Sequence, residues 1–320
     1  MPDKITTQKD VFSTMFHHNK RLQYEAKPSK PDALFANKVQ EVLGGQYGEM
    51  TVMTQYLFQG WSCRGPAKYK DMLLDIGTEE IGHVEMLCTM IARLLEGAPV
   101  AAQEAAHNSN PMMAAILGGM NPQQAVVSGG GPRPTDSMGN PWSGAYMTAS
   151  GNMFADFHSN LNAEVQGRLQ VCRLYEMTDD VGIRDTFAYM IARDTMHQNQ
   201  WLAAIEDMKS EGMCNYPVPL AFTADEKHDD AKYQFWNLSE GTDSQQGRWA
   251  SGQSPDGKGQ FTYVADPQPL GPEPTLAPPD AHLYNLPQQL STGKADGAGM
   301  GGLKGTLGQV VATVKDKITP

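Results

Sequence analysis

The sequence predicts an all-α core: a four-helix bundle with a long crossover between helices 2 and 3, followed by an irregular C-terminal arm with short strands. Three observations predict it. Apolar residues recur at helical spacing over four long segments between about 32 and 212. Gly, Pro, Asn and Ser concentrate between the second and third segments and again beyond Pro217. A carboxylate-x-x-His pattern occurs twice, as Glu80 to His83 on the second segment and Asp194 to His197 on the fourth.

Composition narrows the function classes. The 320 residues suffice for one large domain or two modest ones. Acidic residues outnumber basic ones by 36 to 25, and no basic stripe appears, so nucleic acid is not an expected partner. No apolar run is long enough to cross a bilayer, and residues 1–14 lack the apolar core of a signal peptide. A cytoplasmic location is expected. Cys63, Cys88, Cys172 and Cys214 are scattered without a CxxC pair and read as reduced thiols.

Residues 1–31 read as an extended arm, because Pro28 and Pro31 stop any earlier helix. Met15 marks an alternative start, which would make the first fourteen residues a dispensable extension. The bundle is expected over 32–213. Its first helix begins at the N-cap Asp32 and runs to about Gly60. Gly44, Gly45 and Gly48 interrupt it, each costing roughly 1 kcal/mol relative to Ala in a helix. Either another backbone approaches closely there or the segment breaks into two helices. The second helix follows Gly65-Pro66, with proline at the first turn, and ends near Glu96 before Gly97-Ala98-Pro99. Residues 97–154 form the crossover, with a short helix expected within 110–127. The third helix covers about 154–177 and the fourth about 181–212, joined by Thr178-Asp179-Asp180. Residues 214–287 read as an ordered arm wrapping the bundle or a neighbour, with a strand-like run at 260–264. Residues 288–320 read as a Gly-rich flexible tail.

The chemistry lies in the spacing. Residues three apart on a helix share a face, so Glu80 and His83 can hold one metal together. Glu49 precedes Glu80 by 31 residues, and Glu164 precedes Asp194 by 30. Two helix pairs, each giving one carboxylate and one carboxylate-x-x-His, make the inward ligand set of a ferritin-like dimetal bundle. Carboxylates converging in a core need a large positive charge. Carboxylate and imidazole ligands suit both manganese and iron, and the ligand types alone leave the two open.

Several motifs carry a closer resemblance. Gly44-Gly45-Gln46-Tyr47-Gly48-Glu49, Gly60-Trp61, Tyr69-Lys70-Asp71, the run from Gly77 to Glu85, Thr148-Ala149-Ser150-Gly151-Asn152 and Arg173-Leu174-Tyr175 resemble the manganese catalases, over roughly residues 15–286. The resemblance implies two manganese ions per chain, cycling between Mn(II)2 and Mn(III)2 while hydrogen peroxide becomes water and oxygen. It implies that Glu49 and His83 bind one ion, that Glu164 and His197 bind the other, and that Glu80 bridges them. Glu79 is also within helical reach of His83, and the resemblance is what selects Glu80. By the same resemblance Asp194 is a catalytic acid outside the ligand set, and Glu80 is the second catalytic residue. Tyr56 matches a tyrosine whose phenol hydrogen-bonds the cluster, although a core tyrosine is an equal reading. Ala163 departs from members that carry arginine there. Asp71 and Asp75, one turn apart, with Asn237, Ser239 and Gly241 resemble a calcium site of some members. A homohexamer is implied as well. The rivals are a di-iron oxidase or peroxidase on the same bundle and a non-enzymatic relative of the spore-coat kind.

Overall fold

The computed structural model describes residues 20–97, 122–213 and 230–275. The chain divides into two compact units, 1–223 and 224–320.

The first unit is helical. α1 spans Ala33–Gly44, α2 Glu49–Ser62 and α3 Ala67–Leu95. A five-residue α4, Pro122–Val126, lies in the crossover, and α5 (Met153–Glu176) and α6 (Val181–Ser210) complete the bundle. α2 packs along α3, and α5 packs along α6. Three helix starts are capped by the expected chemistry: the Asp32, Asn152 and Asp180 side chains accept hydrogen bonds from first-turn N–H groups. Asp180 also accepts from Ser29 N and Oγ, tying the segment before α1 to the start of α6.

The expected single first helix is two helices, and both readings of its glycines hold. The chain turns at 45–48, so α1 and α2 are separate. A Cβ at Gly44 would run into the backbone of Thr135, which belongs to the crossover. The crossover is fastened there by Gln40, whose amide donates to Arg133 O (2.7 Å) and Thr135 O (2.8 Å) and accepts from Arg133 N (3.0 Å). Further on, Gln55, Gln59 and Asn160 form a buried amide cluster. Asn160 and Gln59 exchange two hydrogen bonds (2.7 and 2.9 Å), Gln59 donates to Thr148 O (2.7 Å), and Thr148 N donates to Gln55 (2.7 Å).

Two apolar clusters fill the bundle. One gathers Phe35, Val39, Leu43, Leu87, Ile91, Leu94, Ile183 and Phe187, and the other Tyr56, Leu73, Ile76, Phe157, Trp201 and Met208. Along α3, α5 and α6 the predicted ligands fall between the two clusters. Buried apolar side chains thus close off the polar centre on both sides.

In the second unit β1 (Gln234–Trp236), β2 (Gly252–Gln253) and β3 (Gln260–Val264) form a three-stranded sheet in the order β1-β3-β2. β1 pairs parallel to β3, and β2 pairs antiparallel to it. The strand expected at 260–264 is β3. The expectations for residues 1–19, 98–121, 214–229 and 276–320, including Cys214 and the flexible tail, lie outside the described residues. Among the described helices none is long and apolar enough to cross a membrane.

Candidate metal centre

Each of the five predicted ligands, and the predicted acid Asp194, is placed by the register of its helix. Glu49 opens α2, Glu80 and His83 share one face of α3, Glu164 lies midway along α5, and Asp194 and His197 share a face of α6. All six are buried, and Glu80, His83 and His197 are 0% exposed. They gather into two triads, Glu49–His83–Asp194 and Glu80–Glu164–His197. Within each triad one ligand atom per residue lies within 4.8 Å of the others. Glu80 stands between the two histidines. Its Oε2 lies 2.7 Å from His83 Nδ1 and its Oε1 lies 2.7 Å from His197 Nδ1. Glu49 Oε2 is 3.5 Å from His83 Nδ1, and Glu164 Oε1 is 3.8 Å from His197 Nδ1. The carboxylates thus converge on Nδ1 of both rings, which makes Nδ1 the nitrogen that faces the centre.

These close approaches are not hydrogen bonds. Both oxygens of Glu80 and all four ring nitrogens of His83 and His197 are buried with no hydrogen-bond partner. Leaving one such group unsatisfied costs about 1–3 kcal/mol, so the four that face one another, the two Glu80 oxygens and the two Nδ1 atoms, would together cost about as much as the whole stability of a typical domain. Lone pairs aimed at a common space, with no donors between them, fit cations. Carboxylate and imidazole donors without thiolate fit manganese or iron.

The electrostatics agree. Burial, reinforced by the charge of Glu80, pushes the Glu49 carboxyl up to about 8. Burial and Glu80 likewise push Glu164 well up, and burial with Glu49 and Glu80 does the same to Asp194. Burial also acts to raise Glu80, but the two histidines outweigh it and hold that carboxyl below the usual range. Burial lowers His83 and His197, yet the surrounding carboxylates win. His83 ends well above its usual value, and His197 near 10.

Tyr56 OH donates to Glu164 Oε1 at 2.6 Å, and Trp201 Nε1 approaches the same oxygen at 3.4 Å. Tyr56 is therefore both a core aromatic, packed 4.9 Å from Trp201, and a hydrogen-bond donor to the centre. Trp201 enters the sequence reading only as an apolar residue. Its N–H has no signal in the periodicity, because only its distance from Glu164 gives it a role. Arg193 and Gln23 are missed as well. Both bond the Glu79 carboxylate, across 114 and 56 residues of chain. Asp71 and Asp75 are exposed on α3. In the second unit Asn237 Nδ2 donates to Gly241 O (3.0 Å), and Ser239 Oγ lies 3.5 Å from Asn237 Oδ1.

A four-helix bundle that gathers four carboxylates and two histidines in its core defines a metal protein of the carboxylate-bundle class. A family model described as manganese containing catalase matches residues 15–296. A manganese catalase of Bacillus subtilis is 54% identical over 272 residues, covering 85% of this chain and 98% of the relative. The protein YjqC of Bacillus subtilis (strain 168) is 54% identical over 277 residues, covering 87% of this chain and 99% of that one. The crystal structure of KatB, a manganese catalase from Anabaena, superposes with a TM-score of 0.59 at 27% identity, over 79% of this chain and all of that one. The chain belongs to the manganese catalases, and its fold is the ferritin-like bundle of that family. Its substrate is hydrogen peroxide, and manganese is the metal the family implies.

Proposed function

We propose that the centre takes two manganese ions per chain, one held by Glu49 and His83 and the other by Glu164 and His197, with Glu80 shared between them. One observation carries this reading: the two oxygens of Glu80 each lie 2.7 Å from Nδ1 of a different histidine, with no hydrogen bond made. Such a carboxylate is poised to bridge.

When bound, the manganese pair supplies the electron transfer that turns two molecules of hydrogen peroxide into two of water and one of oxygen. The chain's own groups do the rest. Glu80, Glu49 and Glu164 would neutralise the charge of the ions. Tyr56 keeps its proton, because burial and then Glu164 push its phenol well above the usual range, and so it goes on donating to Glu164. Asp194 is the acid–base group beside the ligands. Burial and the neighbouring Glu49 and Glu80 favour its protonated form, so it can deliver a proton to a peroxide oxygen and recover one later. The apolar clusters on either side keep bulk water away from this exchange.

The deciding experiment measures oxygen evolved per peroxide consumed on purified protein, with its metals assayed in the same sample. One oxygen per two peroxides, with two manganese per chain, is expected. Peroxide loss without oxygen, with iron bound, would move the chain to the di-iron peroxidases. No turnover with a full site would favour a structural role.

A homohexamer and a calcium ion drawing on Asp71, Asp75, Asn237, Ser239 and Gly241 rest on sequence resemblance, and a cytoplasmic location rests on the scattered cysteines and the polar start of the sequence. The domain reading, a bundle over 32–213 followed by an arm over 214–287, rests on helical periodicity and the change of composition after the fourth helix. Sedimentation velocity tests the hexamer, and equilibrium dialysis against labelled calcium tests the ion.

A further inference from the structure

Glu79 and Arg193 occupy corresponding places in the two halves of the bundle. Each immediately precedes the carboxylate of a carboxylate-x-x-His. In the structure they meet. Arg193 Nε donates to Glu79 Oε1 at 2.5 Å and Nη2 donates to Oε2 at 3.0 Å, a two-pronged pair. The same carboxylate faces both histidines from the side opposite Glu80. Glu79 Oε1 is 3.8 Å from His83 Nε2, and Oε2 is 3.1 Å from His197 Nε2. The two rings lie 5.7 Å apart with planes inclined by 26°, so one planar group can serve both edges.

A third residue reaches Glu79 from outside the bundle. Gln23 Nε2 donates to Glu79 Oε1 (2.9 Å) and to Tyr189 OH (3.0 Å). Gln23 belongs to the segment ahead of α1. Next to it, the Tyr24 ring stacks on Tyr189 at 4.3 Å, and its hydroxyl donates to Asp185 (2.8 Å). Gly82 makes room for this approach, because a Cβ there would run into the amide oxygen of Gln23.

We propose that Glu79 is a positioning residue shared by both histidines, setting their orientation and tautomer from the Nε2 side, with Arg193 and Gln23 holding its carboxylate in place. A histidine that offers Nδ1 to a cation carries its proton on Nε2, and a carboxylate that accepts this proton fixes the ring. A free Glu side chain would sample several rotamers. The guanidinium fork and the amide limit it to the one that spans both rings. This inference rests on the reading of His83 and His197 as ligands.

The test compares the parent protein with Glu79→Ala, Glu79→Gln, Glu79→Asp and Gln23→Ala. Manganese affinity is measured by titration of the metal-free protein, kcat and KM are measured separately, and the Mn(II) electron paramagnetic resonance spectrum of the loaded protein is recorded. Glu79→Ala is expected to lose about 10–100-fold in manganese affinity or kcat, with KM little changed and an altered spectrum. Glu79→Asp is expected to recover part of the loss. Gln23→Ala is expected to lose several-fold. Unchanged affinity, kcat and spectrum in Glu79→Ala would overturn the proposal. If that variant does not fold, Glu79→Gln decides, and parent-like values there would overturn it equally. The parent separates the two readings. A parent that binds no manganese refutes the ligand assignment itself, whereas an active parent with indifferent Glu79 variants refutes only this proposal.

Discussion

Removing the Tyr56 hydroxyl is the sharpest single-atom probe of the centre. Tyr56→Phe keeps the ring, and with it the contact to Trp201 at 4.9 Å, so no cavity opens. It deletes one donor, the 2.6 Å hydrogen bond to Glu164 Oε1. The Trp201 N–H, at 3.4 Å, is too distant to replace it fully. A hydrogen bond to a charged acceptor contributes about 1.5–3 kcal/mol, which corresponds to about 10–150-fold in an equilibrium constant. An independent route gives the same scale, since losing a partner of a metal ligand typically costs about 10–100-fold in affinity or activity. The assay is manganese titration of metal-free Tyr56→Phe against the parent, followed by kcat on the loaded forms. The weakening should fall on one ion of the two, the one assigned to Glu164 and His197. A variant within about twofold of the parent in both affinity and kcat would refute the role given to the phenol, and Tyr56 would then be a core residue only.

Three other outcomes follow from the same geometry. Glu80→Gln and His83→Ala should each lose bound manganese and catalase activity together, checked by metal analysis and oxygen evolution, because Glu80 lies against both histidines and His83 is the one imidazole of the first triad. Manganese affinity should rise with pH through about 8 and go on rising toward about 10, because two protons compete with the ions: the Glu49 proton, held up to about 8 by burial and then by Glu80, and the His197 proton, which, against the effect of burial, Glu79 and Glu80 hold near 10. A titration at several pH values reads the slope, and a flat profile would mean that Glu49 is not displaced of a proton on binding. Gly44→Ala should lower Tm by several degrees, because a Cβ there meets the Thr135 backbone, which has no flexible side chain to yield. Calorimetry checks this, and a Tm equal to that of the parent would show that the crossover shifts without cost.

The long helices are legible in the sequence because their signals are local. The starts of α3, α5 and α6, at Ala67, Met153 and Val181, lie within a residue or so of the expected positions. Each follows a proline or an oxygen-bearing cap side chain. The ligand spacing is legible for the same reason, since a helical repeat places Glu80 under His83 whatever the rest of the chain does. The α1–α2 break was only half legible. Glycines at 44, 45 and 48 announce an irregularity, but the Thr135 backbone that requires Gly44 lies ninety residues away in the crossover. Gln55, Gln59 and Asn160 read as ordinary polar positions. Their burial makes sense only as an amide cluster that seats the crossover at Thr148. Glu79 is legible as a neighbour of His83 on its own helix, but its engagement with His197, Arg193 and Gln23 depends on tertiary contact.

The pairing of Glu79 with Arg193 also bears on how such a centre is built from one chain. The two halves of the bundle nearly repeat each other around the centre, with Glu49 answering Glu164 and His83 answering His197. Two identical halves would place the same residue at both 79 and 193, and like charges facing across the axis would repel. Tethering the halves in one polypeptide frees them to differ at that place, so that repulsion becomes a clasp. The price is equivalence. The acid lies on the α3 side and the base on the α6 side, so the two histidines meet Glu79 at unequal distances, 3.8 and 3.1 Å. Two ions bound there would occupy sites distinguishable in affinity and in potential, and stepwise loading of metal-free protein should resolve two binding events rather than one.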